Sequence, residues 1–175
     1  MIVVIADDLT GAAELAGIAF SHGLTAEVQT GFNPKTDADV VCLDTNTRLL
    51  PAEKAAAKLR IIAKRIMAAK PEWIYKKTDS VLRGNIAAEL RVLLEAAART
   101  RAIFVPANPS RKRVIRKGRY FIEKTPLHET DFANDPHHPA TTSVVSKIIG
   151  NDPVILIPDA ESESDLDEPA RQCDS

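Results

Sequence analysis

The sequence predicts an α/β fold: a doubly wound, mainly parallel sheet with helices on both faces and a long basic, His-containing excursion. Three observations predict it. Ile2, Val3, Val4 and Ile5 form a continuous apolar run, which suits a strand buried on both faces. Similar short runs alternate with helical patterns, as right-handed crossovers between parallel strands require. Acids or polar turns close these runs, at the edge where open α/β sheets bind ligands. The 175 residues are 45% hydrophobic, enough for one globular domain with a real core. A net charge of −1 gives no global field for nucleic acid or membrane. Cys42 and Cys173 are far apart and suggest no disulfide framework, so a reducing cytoplasm is expected. Neither a secretory leader nor a membrane span is expected.

The first strand ends in Asp7 and Asp8, and Thr10-Gly11 open a helix through Ala12, Ala13 and Leu15 that stops near His22-Gly23. Asp8 or Thr10 can cap that helix. Two adjacent acids need more than a cap, because one of them must point elsewhere. Leu24 to Thr30 reads as a second strand, and Val40 to Leu43 as a third, closed by Asp44. A polar loop, Thr45 to Arg48, precedes a helix that Pro51 can start without loss of a needed N–H. That helix carries its apolar stripe through Ala55, Leu59, Ile62, Ile66 and Met67. Trp73 to Lys77 is the fourth strand. Thr78 to Asn85 is a polar turn, and Ile86 to Arg99 a helix with Asn85 as its N-cap. Ala102 to Val105 is the fifth strand, closed by Pro106-Ala107-Asn108-Pro109.

The pattern then changes. Six of the nine residues from Arg111 to Arg119 are basic. Tyr120 to Glu123 suits a short strand, and Leu127 to Pro139 is polar and contains histidines. Val144 to Ile149 suits a short helix and Val154 to Ile157 a return strand. The expected division is residues 1–158 as one domain, with 159–175 an acidic tail or the cut start of a next element. Pro169 is expected to interrupt a helix beginning near Ser164.

Four groups could carry chemistry. Asp7 and Asp8 sit at a strand end facing a helix N-terminus. In the second turn, Asp79 could accept a proton from a hydroxyl. Arg83 could grip a carboxylate with a planar fork, or brace its own loop through Asp79 at i, i+4. Ser80 and Gly84 leave room for a small polar ligand. The basic run invites an anion, or is a solvated loop. His128-Glu129-Thr130-Asp131 and Asp135-Pro136-His137-His138 bring metal-ligand types together, but their spacing fits no closed zinc pattern, and a turn-rich loop is the better reading. No metal ligand is assigned. The aspartates are adjacent, not at the i, i+2 spacing of haloacid-dehalogenase-type phosphatases. Neither a phosphate-binding Gly-x-x-x-x-Gly-Lys-Ser/Thr loop nor Gly-x-Gly-x-x-Gly occurs.

Ala6-Asp7-Asp8-Leu9-Thr10-Gly11-Ala12, Lys77 to Asn85 and Pro106-Ala107-Asn108-Pro109 together resemble the N-terminal domain of the four-carbon acid sugar kinases. Pro126-Leu127-His128-Glu129-Thr130 with Asp135-Pro136 adds a fourth match, and the resemblance runs to about residue 158. It departs at Lys112-Arg113, where the family usually has Gly-Arg, and at Lys124, where a glycine is usual. The resemblance implies binding of a small anionic sugar acid (threonate, erythronate or 3-oxo-tetronate type) for phosphorylation by ATP. It implies a separate C-terminal nucleotide-binding domain, with Mg²⁺ accompanying ATP and neither expected on this chain alone. On that reading Asp8 or Asp79 is the catalytic base, and Ser80 and Arg83 hold the substrate carboxylate. Gly84 gives access, while Asp7, Asn108 and Arg113 are further substrate contacts. The reading leaves room for a homodimer. Two other classes stay open: a stand-alone small-acid binding module, and a metal-dependent phosphohydrolase using Asp7, Asp8 and the histidines.

Overall fold

The computed structural model describes residues 1–173, which fall into two compact units. The first holds Met1–Asp79 and Arg83–Arg99, the second Ser80–Leu82 and the chain from Thr100 onward.

In the first unit, β1 (Ile2–Ala6), β2 (Ala26–Gln29), β3 (Val40–Asp44) and β4 (Trp73–Lys77) form one parallel sheet in the order β2-β3-β1-β4. Central β1 alternates strictly between two cores. Val3 and Ile5 pack with Val41, Leu43, Leu59 and Ile66 on one face, and Val4 and Ala6 with Ala12, Ala19 and Cys42 on the other. The first face is covered by α2 (Ala52–Ala68) and α3 (Ile86–Ala96), the second by α1 (Leu9–Ser21). Each fully buried Leu or Ile contributes about 1.5–3 kcal/mol, so this double coverage is what holds the sheet. Burial also pushes the Cys42 thiol up to about 11, which leaves it a packing group and not a nucleophile.

The register places the ligand edge. Ala6 lies opposite Asp44 on one side and Lys77 on the other, so β1, β3 and β4 finish level. The turns that leave them begin at one edge.

Helix starts differ in detail from expectation. Asp8 is the N-cap of α1, its Oδ1 accepting from Gly11 N–H at 2.9 Å. Pro51 stands at the N-cap of α2, one position before the helix. Asn85 occupies the N-cap position of α3 but makes no side-chain cap bond. Its Nδ2 donates instead to the carbonyls of Thr47 (3.1 Å) and Leu50 (2.8 Å), which ties the start of α3 to the β3–α2 turn.

The second unit corrects the fifth strand. β5 (Ala102–Ile103) does not extend the main sheet. Its ladder is met within its own unit: it pairs in parallel with the return strand at Ile155–Leu156, Ala102 and Phe104 donating to the carbonyls of Val154 and Leu156. The basic run is a hairpin of β6 (Arg113–Arg116) and β7 (Arg119–Ile122), with β8 (Thr125–Pro126) added antiparallel. Lys117 and Gly118 turn it with φ of +50° and +68°, the two-residue geometry that matches strand twist. Short 3-10 turns follow at Leu127–Glu129 and Asp131–Asn134, then α4 (Val145–Ile148) and the return strand, β9.

Residues beyond 158 are tied into this unit. Ile115 and Ala160 exchange backbone hydrogen bonds (2.9 and 3.0 Å), and Asp159 accepts from the N–H groups of Lys117 (2.6 Å) and Gly118 (2.8 Å). A 3-10 turn at Glu163–Leu166 runs into α5 (Asp167–Cys173). Pro169 does not interrupt α5. It lies in the first turn, where its missing N–H has no helical partner to lose. Among the described residues, no helix is long and apolar enough to cross a membrane.

Candidate functional site

The level strand ends deliver three carboxylates to one guanidinium. Asp7 leaves β1 and points away from the cap that Asp8 provides. Its two oxygens take parallel hydrogen bonds from Arg48, Nε to Oδ2 at 2.9 Å and Nη2 to Oδ1 at 2.8 Å. Nη1 of Arg48 donates to Asp8 Oδ2 at 2.6 Å and lies 3.4 Å from Asp79 Oδ1. Arg83 places its own fork on Asp79, with Nε to Oδ2 and Nη2 to Oδ1 both at 2.9 Å. Asp7, Asp8, Asp79 and Arg83 therefore converge, as two turns at one sheet edge should. The side chains of Asp7 and Asp79 are 4% and 6% exposed, while Asp8 is 28% exposed.

Arg48 escaped the sequence reading, which saw only a polar loop after the third strand. Its cue was positional: it follows a third strand that ends level with the first. Burial pulls the Arg48 guanidinium's pKa down, but its hydrogen bonds to Asp7 and the charges of Asp7, Asp79 and Asp8 outweigh it and hold the pKa above its ordinary value. The turn that carries Arg48 is fixed from below. Thr45 donates to the Ala6 carbonyl through its N–H (2.9 Å) and Oγ1 (2.8 Å), and Thr47 and Arg48 both donate their N–H to the Asp7 carbonyl. Thr47 Oγ1 also donates to Glu89, a buried carboxylate paired with Lys76 at 2.8 Å.

Two glycines fit against the acids. Gly84 has φ +92°, and a Cβ there would lie 2.9 Å from Asp7 Oδ2 and 3.5 Å from Arg48 Cγ. A Cβ on Gly11 would lie 2.9 Å from Asp8 Oδ1. Neither position has space for a side chain.

The remaining candidates lie in the second unit. The Ser80 carbonyl accepts from Tyr120 Oη at 2.8 Å and from Arg113 Nη1 at 3.4 Å. Tyr120 is fully buried and also reaches the Pro106 carbonyl at 3.3 Å. Its role was not legible in sequence, where it read as one end of a short strand. The Asn108 side chain caps the 3-10 turn Pro109–Arg111, accepting from Arg111 N–H and from Ser110 Oγ. The basic hairpin meets the acidic segment of its own unit: Arg116 pairs with Glu161 at 2.6 Å, and Ser110 N–H donates to Glu163. The His-rich stretch is turn chemistry, with Asp135 Oδ1 accepting from the N–H groups of His137 and His138. Among the described residues, no three His, Cys, Asp or Glu side chains are grouped to hold a metal ion.

Such a site offers carboxylate acceptors, Asp8 the most exposed of them, and suits a ligand rich in hydroxyl donors. Residues 2–154 match the family described as "Sugar-binding N-terminal domain". The chain is 33% identical over 157 residues to a D-threonate kinase of Salmonella typhimurium, covering 84% of this chain and 36% of the relative. It is 30% identical over 154 residues to a D-erythronate kinase of Heliobacterium modesticaldum, covering 85% of this chain and 35% of the relative. The chain thus spans about a third of the length of these curated relatives. Among solved structures, a domain of unknown function from Bordetella bronchiseptica, a domain-swapped dimer with bound citrate, is similar at a TM-score of 0.87 and 28% identity. That likeness covers 98% of this chain and 50% of the other.

Proposed function

From the premise that this chain belongs to the sugar-binding N-terminal domain family and corresponds to that part of the four-carbon acid sugar kinases, we propose that it holds a small anionic sugar acid, of threonate, erythronate or 3-oxo-tetronate type, for phosphorylation in an intact enzyme. One observation carries the reading: Asp7, Asp8 and Asp79 reach one guanidinium from two separate turns at a single sheet edge.

In this reading Asp8 is the first choice of base, because its carboxylate is the most exposed of the three. It would take the proton of a ligand hydroxyl as that oxygen becomes a nucleophile. Asp79 is the second choice. Arg83 would hold the ligand's carboxylate by exchanging its fork from Asp79 to the ligand, and Ser80 would assist. Asp7, Asn108 and Arg113 are further contacts, and Gly84 lets its turn pack against Asp7 and Arg48. The hydroxy acid citrate bound in the Bordetella structure supports an anionic, hydroxylated ligand. ATP is the phosphoryl donor that the curated kinases imply. The sequence offers no phosphate-cradling glycine loop, so no step through ATP or Mg²⁺ is assigned to its residues. A C-terminal nucleotide-binding domain, a cytoplasmic setting and a homodimer complete the proposal, the last supported by the swapped dimer of the Bordetella protein.

Calorimetric titration of the 175-residue chain with D-threonate and D-erythronate tests the reading. Saturable binding of at least one, lost in Asp8→Ala, is expected. A folded chain that binds neither acid overturns it.

A further inference from the structure

We propose that Arg48 is the positioning residue of this site: its guanidinium sets the spacing of Asp7, Asp8 and Asp79, and thereby the geometry offered to the ligand. The inference rests on the acid-sugar reading for its ligand but not for its geometry.

Three like charges do not gather without a counter-ion. Asp7 and Asp79 are nearly buried, where an uncompensated carboxylate is costly. Arg48 touches all three acids, and it uses Nε, Nη1 and Nη2 to do so. The planar fork matters because it fixes direction as well as charge. Both Asp7 oxygens are taken by the fork, which leaves Asp7 an anchor for Arg48, while Asp8, which takes one bond from Arg48, is the more exposed of the two.

The anchor is rigid. Arg48 N–H and Thr47 N–H both donate to the Asp7 carbonyl, so main chain and side chain grip the same residue. Behind them run Thr45 to Ala6, Thr47 to Glu89 and Lys76, and Asn85 to the Thr47 carbonyl. Gly84 closes on the Asp7–Arg48 pair from α3's side, with no room for even a Cβ. A guanidinium delivered from so constrained a turn can hold a ligand-facing carboxylate within the fraction of an ångström that orientation demands. None of the sequence motifs that carry the family resemblance contains Arg48.

The test uses the 175-residue chain and the variants Arg48→Lys and Arg48→Ala. Arg48→Lys keeps the charge and removes the fork. Its affinity for D-threonate or D-erythronate should fall by about tenfold or more at a folded fraction matched to wild type. In Arg48→Ala binding should be lost, and added methylguanidinium should restore part of it where methylammonium does not. Independently of any ligand, the amide NMR resonances of Gly11 and Gly84 should move in Arg48→Lys, while those of Val41 and Ile66 in the core stay. Wild-type affinity and unmoved Gly11 and Gly84 resonances in Arg48→Lys would overturn the proposal. If wild type binds neither acid, the functional reading fails by itself and the glycine resonances still decide the role of Arg48. Should Arg48→Ala not fold, Arg48→Lys carries both readouts.

Discussion

Two regions of this molecule are dense in charge, and they use it differently. At the sheet edge of the first unit, Arg48 meets Asp7 with side chains 17% and 4% exposed. On the hairpin of the second unit, Arg116 meets Glu161 with side chains 55% and 45% exposed. The distances are similar, 2.8 and 2.6 Å. Water and salt screen the second pair far more than the first. A short ion pair is therefore not evidence of importance. What separates the two is burial, and with it the cost of removing one partner.

The comparison breaks most readily at Arg48. Arg48→Met leaves Asp7 buried without its counter-ion, while Asp79 keeps the fork of Arg83, so the chain should lose about 3–5 kcal/mol of stability by chemical denaturation. A loss near zero would place the pair on the same footing as the hairpin. Gly84→Ala tests the same pair through packing alone. The φ of +92° and the 2.9 Å approach to Asp7 predict a loss of about 1–3 kcal/mol, read from the denaturation midpoint.

Exposed charge still matters where hydrogen bonds are several. Asp39 accepts from the N–H and Oγ1 of Thr25, and these bonds hold its carboxyl below the ordinary 3.8. A lowered folded-state pKa means stability present above 3.8 and lost as pH falls through the folded value. Thr25→Val should therefore melt below wild type at neutral pH, and the gap should narrow as pH drops below 3.8, leaving the part due to the Asp39 N–H bond to Thr25 Oγ1. A gap independent of pH would assign the difference to packing. The smallest effect belongs to Arg116→Ala, which should leave the melting temperature unchanged at low and high salt alike. A clear drop that salt abolishes would show the hairpin pair contributing after all.

The same contrast explains what the sequence disclosed. The strands and helices of the first unit were legible because burial there is periodic. Ile2 to Ile5, the stripe through Leu59 and Ile66, and the acids at strand ends all report on local position. Asp8 as a cap and Asp7 pointing elsewhere followed from two acids standing together. Arg48 was not legible, because its partners are about forty residues away and only the level strand ends bring them near. Arg83 was legible only as a choice between ligand and Asp79, and it lies on Asp79. In the second unit, Arg111 to Arg119 read as charge when its register, its turn at Lys117-Gly118 and its acidic cover were the structure. Periodicity has little to say about a partner that lies far along the chain.

The carboxylate of Asp159, seated on the amides of Lys117 and Gly118, has a consequence in time. The hairpin is made long before the residue that fills its turn. The first unit is built from Met1–Asp79 and Arg83–Arg99. At roughly 5–20 residues per second, the ribosome takes about 3–12 seconds to go from Arg99 to Asp159. During that interval the first unit can close its core, while the Lys117-Gly118 amides and the outer edge of β5 wait in water for partners not yet translated. A pulse-chase experiment with a protease should find the segment around Arg111–Arg119 cleavable until residues 155–163 emerge, and protected afterwards.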